Sequence, residues 1–354
     1  MNLKTLTANE VFNQLSKFKH TGSYKLMYSS VFGGLVNDPS LMLLPMDDHM
    51  VHRGDGVFEA IRFNRAKIYL LTEHLQRLQK SADFIGLKLP MPLAEISEIC
   101  HEMQKFVYRE ATNHFKLNQN SSAEQSGSVG WASDARSIPL AANSEGVLRL
   151  YVSRGPGDFS PNPYSTIGSQ LYIVATEFKP LPSLKYEQGV SLGLSEVPVK
   201  MGFYAQAKTC NYLPNVMMKK ESVDNGFDFV VAVNEHGHVA EGSTENILIF
   251  SRGVLVAPKF DYTLRGTTLL RALELAQRHL EISHQIKDIT VQDLLAANEI
   301  MMVGTTLAVL PVTQFNRRPV GSDGAGVFGQ SAAISRVGPV SKKLLQLITS
   351  DINS

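Results

Sequence analysis

Lys208 heads the segment Lys208-Thr209-Cys210-Asn211-Tyr212-Leu213-Pro214-Asn215, and Glu241 heads Glu241-Gly242-Ser243-Thr244-Glu245-Asn246. A lysine withdrawn from water can lose its proton and attack an aldehyde, forming a Schiff base. A carboxylate set against a pyridine-type nitrogen keeps that nitrogen protonated, so the ring draws electrons. Two further segments suit an anion. Gly266-Thr267-Thr268 stands where a helix is expected to begin, with backbone N–H groups free and hydroxyls beside them. Gly304-Thr305-Thr306 follows an apolar run. Arg77 can add a charge-assisted bond to such an anion.

Elements must position these groups. A short helix is expected over residues 5 to 18. Thr72 is the expected N-cap of a helix reaching Gly86, with Leu75, Leu78, Ala82 and Ile85 on one face. Strands are expected at 148 to 153 and 171 to 176. Asp228 to Val233 and Glu245 to Phe250 read as strands flanking a turn at Asn234-Glu235-His236-Gly237-His238. Thr267 or Thr268 opens a helix whose Leu269, Ala272, Leu273, Ala276 and Leu280 share a face. Ile300 to Val303 reads as a buried strand. The stretch Leu117–Gly146, rich in Ser, Asn, Ala and Gly and holding Trp131, reads as an inserted surface loop. It either decorates the molecule or covers a site. The prolines of Lys179-Pro180-Leu181-Pro182-Ser183 mark a linker. The expected organisation is 1–178, with the 117–146 insertion, a linker at 179–184, and 185–354.

Composition narrows the function classes. The chain has 354 residues, 44% of them apolar and 19% charged, with a net charge of +1. It is long enough for two domains, and its charge gives no reason to expect nucleic acid or an anionic membrane as partner. No apolar run is long enough to span a bilayer. Two cysteines, Cys100 and Cys210, make no disulfide framework, so a reducing, cytoplasmic setting is expected. The first twenty residues hold no continuous apolar segment and no arginine, a poor match to a signal or transit peptide. No metal site is expected.

The motifs together resemble the class IV aminotransferases, the fold-type-IV pyridoxal phosphate enzymes. The markers are His52-Arg53-Gly54-Asp55-Gly56-Val57-Phe58-Glu59, Glu73-His74-Leu75-Gln76-Arg77-Leu78, the two segments headed by Lys208 and Glu241, and Glu299-Ile300-Met301-Met302-Val303-Gly304-Thr305-Thr306. Met46 to Gly54, Gly155-Pro156-Gly157-Asp158-Phe159 and Asn211 to Asn215 look most like plant-type D-amino acid transaminase and aminodeoxychorismate lyase proteins. The resemblance implies an α+β fold, with a smaller N-terminal α/β domain and a larger strand-rich C-terminal domain. It implies pyridoxal 5'-phosphate as cofactor, amino and keto acids as substrates, and a homodimer.

Residue by residue, the resemblance makes Lys208 the Schiff-base lysine and proton shuttle, and Glu241 the partner of the ring nitrogen. Arg77, Thr267, Thr268 and Thr305 hold the phosphate, and Tyr212 lies against the cofactor. Phe58, Arg149, Thr306 and Leu307 lie near the substrate. Other readings stand beside these: Thr267 and Thr268 as plain helix caps, Arg149 as a structural ion pair. The implied activity is transamination of a D- or branched-chain amino acid. The alternatives are 4-amino-4-deoxychorismate lyase, releasing pyruvate and p-aminobenzoate, and a non-catalytic pyridoxal-phosphate carrier. Three departures stand out. Tyr212 is four residues after the lysine where the branched-chain enzymes place a tyrosine at five. The Gly157–Asn162 loop lacks the arginine–histidine pair of bacterial D-amino acid aminotransferases. Leu269 stands where many relatives have arginine, with Arg271 two residues on.

Overall fold

The structure is a computed structural model that describes residues 3–18, 20, 23–121, 145–200, 202–321 and 337–354. The chain divides into two compact units, Met1–Phe178 and Lys179–Ser354.

Among the described residues, the first unit is built on five antiparallel strands: β1 (Tyr24–Ser29), β2 (Gly34–Val36), β3 (Gly56–Phe63), β4 (Gly146–Ser153) and β5 (Gln170–Glu177), in the order β2-β1-β5-β4-β3. Its helices are α1 (Ala8–Leu15), α2 (His49–Arg53), α3 (Leu71–Phe84) and α4 (Leu93–Ser121). Strand alternation sends Val57 and Ile61, and Leu148, Leu150 and Val152, into one core with Leu75, Leu78 and Ala82 of α3 and Ile96, Cys100, Met103 and Val107 of α4. Phe58, Arg149 and Tyr151 fall on the opposite face of the sheet.

Three expectations are corrected here. Helix α3 begins at Leu71, not after a Thr72 cap: His74 N–H bonds the carbonyl of Leu70, which sits in the left-handed region at φ 53°. That carbonyl opens the helical ladder, so Thr72 lies inside the first turn. The expected loop Leu117–Gly146 is shortened at both ends, because α4 runs to Ser121 and Gly146 opens β4. Residues 122–144, including Trp131, lie outside the described residues. The expected linker 179–184 overlaps a short helix, α5 (Ser183–Gln188), which starts directly after Pro182.

Among the described residues, the second unit holds nine strands: β6 (Val190–Leu194), β7 (Phe229–Val233), β8 (Val239–Gly242), β9 (Asn246–Ser251), β10 (Val254–Ala257), β11 (His284–Ile286), β12 (Glu299–Gly304), β13 (Ala308–Phe315) and β14 (Arg318–Pro319). Around them lie α6 (Gly202–Ala205), α7 (Leu213–Asp224), α8 (Thr267–Leu280), α9 (Val291–Leu295) and α10 (Pro339–Asn353). The order β9-β12-β13-β6-β7-β8 returns on itself, because β8 also pairs with β9 through Glu241 and Asn246. The sheet therefore closes into a ring. Leu192, Val231, Ile247, Ile249, Met302 and Leu310 fill the core of this unit. The alternate residues Val230 and Ala232 pack with Met218 of α7. The sequence pattern missed β8: the turn at Asn234–His238 leads into this strand rather than straight to the one at Asn246.

Helix α10 is fastened by a carboxylate from the ring. Buried Glu299 accepts from the Val340 and Ser341 N–H groups at 2.9 and 2.8 Å and from the Ser341 hydroxyl at 2.7 Å. This satisfies first-turn donors of the helix and places negative charge at its positive end. Gly338 makes the approach possible, since a Cβ there would come within 2.0 Å of Glu299 Cδ. Gly338→Ala is expected to cost about 1–3 kcal/mol, as overpacking generally does. Urea unfolding should show it as a lower midpoint with unchanged slope; a wild-type midpoint would refute the tight approach.

Candidate active site

The second unit gathers the lysine, the tyrosine and the carboxylate. Lys208 lies just before α7, and Tyr212 is the N-cap residue of that helix. Glu241 sits on β8, at the pair that closes the ring. The Lys208 Nζ lies 5.8 Å from the centroid of the Tyr212 ring. Asn215, in the first turn of α7, donates from Nδ2 to the Ser243 carbonyl at 2.5 Å. That bond ties the lysine segment to the turn after Glu241. Asn215 Oδ1 is buried and has no partner among the described residues, an orphaned acceptor of the kind found beside ligand sites.

Glu241 is densely enclosed by protein yet keeps accessible surface, as a group lining a cavity does. Its Oε2 accepts from the Leu264 N–H at 2.8 Å. Burial pushes its carboxyl up to about 7; the Leu264 bond and the charges of Lys200 and Lys208 pull the other way, and Glu245 adds to the rise. A carboxylate in this state gains from a cation placed against it, so a protonated ring nitrogen fits the position.

The same Leu264 peptide leads into the expected phosphate turn. Asn246 Nδ2 donates to the Leu264 carbonyl at 2.8 Å. A Cβ on Gly266 would meet Asn246 Oδ1 at 1.9 Å, so only glycine allows this approach. Gly266 is the N-cap of α8 and brings no capping side chain, while Thr267 and Thr268 are buried in the first turn. The donor set suits a phosphate. On the other turn, Thr305 is half-buried, Thr306 is exposed, and the buried Leu307 gives its carbonyl to the Tyr186 hydroxyl at 3.2 Å. Ala308, at φ 55°, holds a strained left-handed conformation directly after this turn. Arg271 points elsewhere: it pairs with Asp351 of α10 and with Glu274. It does not replace the arginine absent at position 269.

In the first unit, Arg77 donates from both Nε and Nη2 to buried Glu59 at 2.7 Å, and His74 Nδ1 lies 2.7 Å from the same carboxylate. Burial alone would raise the Glu59 carboxyl; Arg77 and His74 outweigh it and hold it at about 2. The guanidinium is thereby locked in direction. Phe58 stacks on its cross-strand partner Tyr151 at 5.9 Å, and Arg149 lies on the same face of the sheet, half-buried and without an ion-pair partner among the described residues. The structural ion pair considered for Arg149 is therefore absent among them.

Two residues of the second-unit cluster carry no assignment from sequence: Asn215 and Lys200. Lys200 Nζ lies 4.7 Å from the Tyr212 centroid, on the ring that Lys208 also faces. Its only sequence signal is a position after Val197-Pro198-Val199, eight residues ahead of Lys208.

The strand ring brings Lys208 near Tyr212 and within electrostatic reach of Glu241, the grouping that the sequence motifs led us to expect. The chain belongs to the amino-transferase class IV family, whose model matches residues 56–315, and this family depends on pyridoxal 5'-phosphate. It is 30% identical over 361 residues to a chloroplastic D-amino-acid transaminase of Arabidopsis thaliana, covering 100% of this chain and 83% of the relative. In fold it is similar to a T.th. branched-chain amino acid aminotransferase with pyridoxamine 5'-phosphate, with a TM-score of 0.72, 23% identity, and coverage of 92% of this chain and 93% of the other. It is also similar to 4-amino-4-deoxychorismate lyase from Pseudomonas aeruginosa, with a TM-score of 0.66, 21% identity, and coverage of 88% and 96%. No helix among the described residues is long and apolar enough to cross a membrane.

Because the Glu241 carboxyl binds its proton more tightly in the fold than its ordinary value of 4.5, folded protein holds more protons than unfolded chain between pH about 4.5 and 7. Its contribution to the stability of cofactor-free protein is full below that window and is lost as pH rises through 7. Melting temperatures of apoprotein from pH 4.5 to 8 should fall more steeply for wild type than for Glu241→Gln. Parallel curves would show that the carboxyl is not held protonated.

Proposed function

We propose that the protein is a pyridoxal 5'-phosphate-dependent aminotransferase that moves an amino group between a D- or branched-chain amino acid and a keto acid. The observation that carries this reading is the grouping of Lys208, Tyr212 and Glu241 beside the closure of the strand ring. The D-amino-acid transaminase relative, which spans all of this chain, supports a D-amino donor.

When bound, the cofactor supplies a cationic ring that withdraws electrons from the substrate's α-carbon. Lys208 would anchor the cofactor, and its Nζ would take the proton from the substrate's α-carbon. Glu241 holds the ring nitrogen in its protonated form, because its enclosed charge is best offset by that cation. Tyr212 lies against the ring. Thr267, Thr268 and Thr305 hold the phosphate, the first two with the N–H groups of the α8 start. Arg77, held by its two bonds to Glu59, is the further phosphate-binding residue that the family resemblance implies. By the family resemblance, Phe58, Arg149, Thr306 and Leu307 are the residues near the substrate.

A second reading is 4-amino-4-deoxychorismate lyase. The Pseudomonas aeruginosa lyase has the same fold, and its reaction would begin with the same proton transfer at Lys208. Intact Lys208, Glu241 and Gly-Thr-Thr turns argue against a non-catalytic carrier of the cofactor. We also assign a homodimer in a reducing, cytoplasmic setting. Support comes from the exposed apolar residues Phe32, Leu35, Leu43, Leu44 and Met46, and from Cys100 and Cys210, neither of which is in a disulfide.

Two experiments test the reading. Lys208→Ala should lower turnover by more than about a thousandfold, the range of lost general-base catalysis; turnover at the wild-type level would refute the role. Purified cofactor-loaded protein given aminodeoxychorismate, with no other amino donor or acceptor, should release no pyruvate. Stoichiometric pyruvate with p-aminobenzoate would establish the lyase instead.

A further inference from the structure

We propose that Lys200 is the cation that receives the substrate's carboxylate in the Lys208 site. The inference rests on the amino acid reading above and names the group that would orient its substrate.

Lys200 and Lys208 present their ammonium groups to one tyrosine, at 4.7 and 5.8 Å from the Tyr212 centroid. A cation gains from the face of a tyrosine ring, more so when partly desolvated. The ring satisfies none of the ammonium's three hydrogen-bond donors as an oxygen would. Lys200 is half-buried, and among the described residues no carboxylate lies within ion-pair distance of it. Glu241 is near enough for its charge to act on Lys200, but the two form no ion pair among the described residues. Burial accordingly lowers the Lys200 pKa against the pull of Glu241. A half-buried ammonium in this position is completed by an anionic oxygen.

The phosphate has donors of its own at the Gly266 and Gly304 turns. The remaining anion of an amino acid or keto acid substrate is its carboxylate. In the first unit, the Gly157–Asn162 loop has neither arginine nor histidine, and the Arg53 guanidinium already donates to the His52 and Phe159 carbonyls. Lys200 instead shares its ring with the lysine that handles the α-proton. A carboxylate docked on it would sit one carbon from the atom that Lys208 addresses. The residue acts by binding and leaves proton transfer to Lys208.

The test uses cofactor-loaded wild type, Lys200→Met and Lys200→Arg, each checked for retained cofactor and native circular dichroism. The probes are 4-methylvalerate and propionate, titrated against the visible absorption of the bound cofactor, and n-butylamine, an amine with no carboxylate. Lys200→Met should bind both carboxylates at least about tenfold more weakly, the scale of one charge-assisted hydrogen bond. Its reaction with n-butylamine should be unchanged, and Lys200→Arg should recover most of the carboxylate binding. Carboxylate binding equal to wild type in Lys200→Met, no carboxylate binding by wild type, or equal loss of carboxylate and amine reactivity would each overturn the proposal. Lys200-dependent carboxylate binding in a wild-type protein that takes no amino group from D-alanine or L-leucine would instead sink the aminotransferase reading alone.

Discussion

The pairing of Glu241 with Asn246 is the constraint on which the second unit turns. It joins β8 to β9 and converts a run of strands into a closed ring. Closure removes two sheet edges that would otherwise offer unpaired backbone groups. The turn between the pair is held by the Gly242 N–H donating to the Glu245 carbonyl at 2.8 Å. Both paired residues then reach the same distant residue, Glu241 accepting from the Leu264 N–H and Asn246 donating to the Leu264 carbonyl. One local clasp therefore fixes a carboxylate, the peptide that leads into α8 and the turn to which Asn215 anchors the lysine segment.

Two enclosed glutamates show how neighbours decide the state of one residue type. Glu59 has an arginine and a histidine in contact and is held at about 2. Glu241 has a single backbone donor and more distant lysines, and burial carries it to about 7. The first arrangement is complete within the chain and directs Arg77. The second is incomplete until a cation arrives. That difference, rather than depth, separates a structural carboxylate from one poised for a ligand.

The segments headed by Lys208 and Glu241 and the Gly-Thr-Thr turns were legible in the sequence, and the structure brings Lys208 close to Tyr212 and within electrostatic reach of Glu241. Long periodic elements were legible too: the buried face Leu269, Ala272, Leu273 and Ala276 of α8 appears as expected. Short elements were not. Strand β8 has four residues, too few for alternation to declare itself, and its pairing depends on partners elsewhere in the chain. The start of α3 depends on a left-handed Leu70 that no composition rule favours. Lys200 is a single lysine among Val, Pro and Met; only its packing on Tyr212 distinguishes it. Arg271 looked available by position, and the fold commits it to Asp351 of α10.

The ring's strand order also sets a schedule for its assembly. The β8–β9 turn is local and closes at small cost in chain entropy. The β6–β13 pairing joins Val190 to Val312 in parallel, far apart in sequence, and such contacts form slowly. On a ribosome, the clasp around Glu241 can therefore form well before the ring does. The barrel itself must wait until β13 has emerged, and until then the nascent unit keeps an open seam beside β6, the strand that leads to Lys200.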